Sequence, residues 1–264
     1  MNENPALVQE ARNRPASSIP VVLIHDGGGD TFGYYLLGEL HPARELWAIH
    51  NPDFNSSTPY PLTMEKMAQN YIQLIESSGI RGPIYLGGWS LGGILSVVIA
   101  NEISKSITPV SFFLAGLLLI DSPFYRPVSE CPPARAVDFS HRLPRIQNCL
   151  SGCMQMLEEW STPTTGPEGW LPPAVLIRST ERVAAGPGVS DELPARVDLC
   201  RDDKILGWGF MGQEFIIGTL DVKSNHYNIF DMDKLEEVTK AVNRALQMLD
   251  SSRDEMVFFH DTTR

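Results

Sequence analysis

The turn Gly88-Trp89-Ser90-Leu91-Gly92 constrains this chain more than any other feature, because of what stands on either side of it. Before it runs Pro83-Ile84-Tyr85-Leu86-Gly87, an apolar stretch too short for a helix and fit for a strand. After it, residues 91–103 are helical in period and apolar on most sides, as in a helix buried against a sheet. A serine on a sharp strand-to-helix turn is held with its hydroxyl above the sheet edge. Glycine is needed at the flanks, because a side chain there would collide with neighbouring backbone. The helix starting after Ser90 points its free N–H groups and positive end toward any negative charge that develops there. Ser90 is therefore the candidate nucleophile.

The surrounding pattern alternates. Strands are expected at 19–24, 45–49, 115–120, 174–178 and 215–218, and helices at 32–40, 63–79 and 235–249. Thr63 opens the second of these helices as N-cap, with Lys66 in place of the glutamate of a capping box. Alternation of this kind implies βαβ units and a mainly parallel central sheet with helices on both faces. The rhythm lapses over 122–173, a proline-rich stretch with one helical candidate at 148–160. A segment that long without strands reads as a functional insertion. The whole chain, 1–264, reads as one α/β domain carrying that insertion.

A serine hydroxyl needs a base, and the base needs a group to orient it. Where this elbow occurs in an α/β-hydrolase fold, the chain order is serine, acid, histidine. Of the six histidines, only His226 follows the last expected strand in a short loop. His141 falls in the insertion, His260 in the terminal tail, and His25 just before a glycine-rich turn, where a structural or substrate-facing role fits better. Two acids compete. Asp121 ends the strand after the nucleophile helix, with Ser122-Pro123 fixing the turn behind it, and is the favoured choice; Glu181 follows the next strand. For an oxyanion hole the backbone N–H of Leu91 is one donor, and the turn His25-Asp26-Gly27-Gly28-Gly29 supplies the other, Gly27 first and Asp26 next. The three glycines lack both the G-x-G-x-x-G register and the lysine of a phosphate loop.

Composition removes other classes. A net charge of −11 opposes nonspecific nucleic-acid binding, which needs clustered cations to neutralise phosphates. Arg126, Arg135, Arg142 and Arg145 do gather in the insertion, as a solvated face or as a surface for an acidic carrier or a phosphate. No apolar run is long enough to span a membrane, and the first residues lack the basic and apolar regions of a secretory signal. Cys131, Cys149, Cys153 and Cys200 show no C-x-x-C spacing and read as reduced thiols. The expectation is a cytoplasmic enzyme with no metal and no cofactor.

Several stretches together resemble the thioesterases that release acyl chains from polyketide and nonribosomal peptide synthases, the fungal branch above all. They are Ile24-His25-Asp26-Gly27-Gly28-Gly29, Gly87-Gly88-Trp89-Ser90-Leu91-Gly92-Gly93, Leu118-Leu119-Ile120-Asp121-Ser122-Pro123, Ile205-Leu206-Gly207-Trp208 and Asn225-His226-Tyr227. They span about residues 21–249 in the family's order. The chain departs from the family at His25, where proline is frequent, and at Tyr227, where a small or aliphatic residue is frequent.

The resemblance supports Asp121 over Glu181 and implies an acyl-Ser90 intermediate. The acyl group would come from the phosphopantetheine thioester of an acyl carrier protein or polyketide synthase. Water or a substrate hydroxyl would then receive it, giving hydrolysis or lactone and ester formation. It also makes 122–173 a lid over an acyl chamber, with Phe124, Tyr125, Leu143, Met154, Met156 and Trp160 as candidate lining, and Phe124, Tyr125 and Tyr227 as candidate substrate contacts. The chain begins with Met and has no carrier attachment segment, so a free-standing enzyme acting in trans is expected. A carboxylesterase or lipase acting on free esters, and a catalytically silent binding protein of the same fold, are the alternatives.

Overall fold

Alternate residues of the inner strands point to opposite faces of one sheet, and each face carries its own buried cluster. Val22, Ile24, Leu86, Leu117 and Leu119 pack one way, while Val21, Leu23, Tyr85, Leu118 and Ile120 pack the other. The computed structural model describes residues 3–11, 18–58, 60, 63–160, 171–186, 188–211 and 214–261, with side chains through 253. Its strands are β1 (Ala6–Gln9), β2 (Val21–Ile24), β3 (Leu46–Ile49), β4 (Gly82–Trp89), β5 (Phe112–Ile120), β6 (Ala174–Ser179) and β7 (Ile216–Val222). They form a seven-stranded sheet in the order β1-β3-β2-β4-β5-β6-β7. Every neighbouring pair is parallel except β1 with β3.

The helices are α1 (Phe32–Tyr35), α2 (Met64–Ser77), α3 (Leu91–Lys105), α4 (Pro144–Glu159) and α5 (Leu235–Asp261). α2 and α3 cover one face, while α1 and α5 cover the other. Residues 91–101 of α3 are all buried, which explains why that segment is apolar all round. Thr63 caps α2, its Oγ1 accepting the Lys66 N–H at 3.3 Å; such a cap contributes about 1 kcal/mol.

Two elements differ from expectation. Strand β1 carries no clear period-two signal and forms only by pairing with β3 at the sheet edge, Ala6 opposite Ala48. The helix expected at 32–40 stops after one turn. Backbone N–H groups beyond it are taken by α5 instead: Gly38 donates to Thr239 Oγ1 at 3.0 Å, and His41 to Asn243 Oδ1 at 2.7 Å. Tertiary partners two hundred residues away thus outcompete local helix propensity. In the insertion, α4 begins earlier than the expected 148, with Pro144 in its first turn, where a missing N–H does no harm. Among the described residues no helix is long and apolar enough to cross a membrane.

Candidate active site

Ser90, Asp121 and His226 meet at the carboxyl ends of parallel strands, where open α/β sheets place their ligands. Ser90 follows β4 directly, Asp121 follows β5, and His226 lies four residues beyond β7. Ser90 sits at φ 54°, ψ −116°, a conformation that costs of order 1–3 kcal/mol. Close backbone approach holds it there. A Cβ on Gly92 would lie 2.2 Å from the Ile24 carbonyl oxygen, and one on Gly88 2.4 Å from the same oxygen. The strands β2 and β4 and the start of α3 therefore touch without side chains between them.

The three side chains form one hydrogen-bonded line. His226 Nε2 lies 3.0 Å from Ser90 Oγ, and His226 Nδ1 lies 2.7 Å from Asp121 Oδ2. Glu181, the rival acid, is exposed, and its backbone N–H pairs with the Ser224 carbonyl. Asp121 is fully buried. Burial alone would push its pKa up, but the hydrogen bond and charge of His226, with the Arg201 guanidinium, hold it down at about 2. A carboxylate fixed on Nδ1 selects the tautomer that leaves Nε2 free to take a proton from the serine. The His226 loop is braced locally, with Asn225 Oδ1 accepting the Tyr227 N–H and Asn228 Oδ1 accepting the Asn225 N–H.

On the opposite wall, Leu91 is the first residue of α3 and its N–H has no carbonyl one turn back within the helix. The Gly27 loop is held by Tyr60, whose hydroxyl donates to the Gly27 carbonyl at 3.1 Å. Tyr34 ties the ends of β2 and β4 together. Its hydroxyl donates to the Ile24 carbonyl at 2.6 Å and accepts the Trp89 N–H at 2.8 Å. His25 is fully buried, with Nδ1 against the Asp26 carbonyl and Nε2 against the Tyr71 hydroxyl. Burial lowers its pKa to about 4, so it is a neutral structural residue at ordinary pH. Asp26 keeps partial exposure, yet burial of its carboxyl and repulsion from Asp30 raise its pKa to about 7.

The helix α4 lies over the glycine loop. Cysteine, leucine and isoleucine side chains crowd the space that a Cβ would need: Cys153 and Leu150 at Gly27, Ile146 at Gly28, Cys149 at Gly29. These four fall at helical spacing on one face of α4. They are not the residues that the sequence pointed to. Met156 and Trp160 are buried in the main core, while Leu143 and Met154 are exposed. Phe124 packs between Trp208 and Phe210, and the Tyr125 hydroxyl bonds to Glu158 with Arg196 over its ring. Tyr227 stands edge-on to His226 with centroids 4.9 Å apart.

The four arginines do not make one basic face. The Arg135 side chain is 8% exposed, donates to the Val183 carbonyl and pairs with Asp191. Arg126 lies over Phe210, Arg145 lies over Phe54, and Arg142 is exposed. The cysteines are free, and no metal-holding cluster occurs among the described residues.

Sequence reading missed the groups that hold Asp121. Ser179 N–H donates to Asp121 Oδ1 at 2.8 Å, and Arg201 donates to both Asp121 oxygens. Arg201 Nε in turn donates to Asp198 at 3.0 Å. In sequence Arg201 opens the charged run Arg201-Asp202-Asp203-Lys204, which reads as surface. Two stretches far apart in sequence also meet here: Trp208 Nε1 donates to the Ser122 carbonyl at 2.8 Å, and Phe124 N–H donates to the Leu206 carbonyl at 2.9 Å.

Comparison with known proteins places this arrangement. The thioesterase domain model matches residues 19–135. The probable thioesterase KK1J of Curvularia clavata is 34% identical, over 88% of this chain and 91% of that one. A 127-residue stretch, 48% of this chain, is 37% identical to the nonribosomal peptide synthetase imqB of Aspergillus flavus and covers 4% of it. Among solved structures, the NocB thioesterase domain in covalent complex with a fluorophosphonate nocardicin G analog superposes with a TM-score of 0.62. That match covers 87% of this chain and 95% of that one at 22% identity, a likeness of fold. With its seven-stranded α/β-hydrolase sheet and a relative at this identity over nearly its whole length, the chain belongs to the thioesterase family.

Proposed function

We propose that this thioesterase moves an acyl group from a carrier-bound thioester through a covalent ester on Ser90. His226 Nε2 takes the Ser90 proton as Oγ attacks the thioester carbonyl carbon. The backbone N–H groups of Leu91 and Gly27 receive the oxyanion. The tetrahedral intermediate collapses with loss of the thiolate, which leaves as thiol after taking the proton from His226. Water or a substrate hydroxyl then attacks the acyl-Ser90 ester, its proton passing to His226 and on to Ser90, and releases an acid, or an ester or lactone. Asp121 orients the imidazole and stabilises its cation throughout.

The observation that carries this reading is the line Ser90 Oγ to His226 Nε2 at 3.0 Å and His226 Nδ1 to Asp121 Oδ2 at 2.7 Å. The carrier as donor is supported by the stretch shared with the synthetase imqB, and α4 over the Gly27 loop supports the insertion as a lid. The test is incubation with an acyl thioester and with the matching oxyester, followed by intact mass. The thioester should leave an acyl adduct on the parent and none on Ser90→Ala. Adduct from the oxyester alone would make the protein a carboxylesterase; no adduct from either, with Ser90→Ala like the parent, would make it a binding protein.

A further inference from the structure

Asp121 also meets a second buried charged pair. Arg201 and Asp198 have side chains 2% and 0% exposed. Arg201 meets Asp121 with two nitrogens, Nη1 on Oδ1 and Nη2 on Oδ2, the latter at 3.1 Å. Its Nε meets Asp198 Oδ1 at 3.0 Å, and Nη1 also donates to the Ser179 carbonyl at 2.9 Å. The other Asp198 oxygen accepts the Val183 N–H at 2.7 Å. With the Ser179 N–H and His226 Nδ1 added, Asp121 accepts four hydrogen bonds, the full capacity of a carboxylate. No rotation of Asp121 is then possible without breaking one.

We infer that Arg201 and Asp198 are a positioning pair for Asp121: Arg201 fixes both carboxylate oxygens in the plane His226 requires, and Asp198 restores the negative charge that Arg201 alone would cancel. The inference rests on the acyl-transfer reading of Ser90, His226 and Asp121. Only a planar guanidinium can bridge two oxygens of one carboxylate and reach a second carboxylate from its third nitrogen. Charge explains the second carboxylate. Asp121 with Arg201 alone would be neutral and would give little support to an imidazolium in a buried site. Two carboxylates and one guanidinium leave one net negative charge facing His226, which the imidazolium then balances.

The other groups around the imidazole are Ser90 at Nε2, the Trp89 ring and the Tyr227 ring. The Tyr227 phenol stays neutral at working pH, since burial raises its pKa and Asp198, Asp26 and Cys153 raise it further against the lowering effect of Arg135.

The experiment measures kcat and KM for an acyl thioester across pH in the parent and three variants, with folding checked by circular dichroism. Arg201→Lys keeps the charge and loses the bridge; kcat should fall about a hundredfold with KM changed by less than about twofold. Asp198→Asn keeps the shape and removes the charge; the acidic limb of kcat/KM should move down by about one pH unit. The double variant Arg201→Met/Asp198→Leu removes the pair without leaving a lone charge. Its limb should return toward the parent while kcat stays low, and it decides through kcat if Asp198→Asn does not fold.

Folded variants that all keep the parental kcat and limb would overturn the inference. So would Asp198→Asn losing rate equally at every pH, which would reduce the pair to packing. Labelling by a fluorophosphonate separates this from failure of the underlying reading: if parent and Ser90→Ala label alike, it is the acyl-transfer reading that fails.

Discussion

The two halves of the site are built by opposite means. The Ser90 elbow is a product of short-range sterics: glycines at 88 and 92 let β4 and α3 press against the Ile24 carbonyl, and that contact forces the strained serine. The Asp121 side is a product of long-range charge. Its carboxylate is held by Ser179, Arg201 and His226, which lie 58, 80 and 105 residues away. The elbow can be damaged by adding one carbon, and the acid side by removing one hydrogen-bonding group. A backbone turn that depends on absent atoms tolerates no additions, whereas a buried carboxylate depends on partners that are present.

The sharpest way to break this contrast is at the acid. Asp121→Asn should lower turnover of an acyl thioester about 10⁴-fold with the fold intact, because the amide favours the wrong imidazole tautomer. Glu181→Gln, at the exposed rival, should leave turnover within about twofold of the parent. If Glu181→Gln shows the loss instead, the acid has been misassigned.

At the elbow, Gly92→Ala should destabilise the protein by about 3 kcal/mol, read as a lower urea midpoint, since its Cβ must displace the Ile24 carbonyl. A midpoint equal to that of the parent would show that the contact has room to relax.

Acid titration sharpens the comparison further. The folded pKa of Asp121 lies below the ordinary 3.8, at about 2. Its ionisation therefore adds stability that is present above about pH 4 and disappears as pH falls through 2, in all about 2 kcal/mol. Urea unfolding between pH 5 and 2 should show this loss, and Asp121→Asn should flatten it.

The smallest effect is expected at Asp26, in the glycine-rich loop after β2. Its pKa is raised to about 7, so the folded state prefers the protonated acid and is penalised once Asp26 ionises. Asp26→Asn should raise the melting temperature at pH 8, where the parent carries the charge, and make little difference at pH 4. An equal rise at both pH values would locate the effect in packing.

Much of the fold was legible because it follows from period and punctuation. The strand before Ser90, the helix after it, and the strands ending at Ile24, Ile120 and Ser179 are written in local apolar runs, and the structure has them within a few residues. The one-turn α1 and the edge strand β1 were not legible, since both are decided by partners elsewhere: Thr239 and Asn243 for the first, β3 for the second. The orientation of α4 was not legible either, because which of its faces turns toward the Gly27 loop is set by packing. Ile146, Cys149, Leu150 and Cys153 are the residues that face it.

By itself, then, the sequence determined the strand–turn–helix around Ser90 and the parallel α/β plan. Those depend on neighbours within a few residues and on the glycines that close approach demands. Only the tertiary structure brought Asp121, and not Glu181, to His226, and only it brought Arg201 and Asp198 out of a charged loop into a buried network. A charged residue looks the same in a sequence whether it faces water or another charge; the difference lies in which distant segments fold over it.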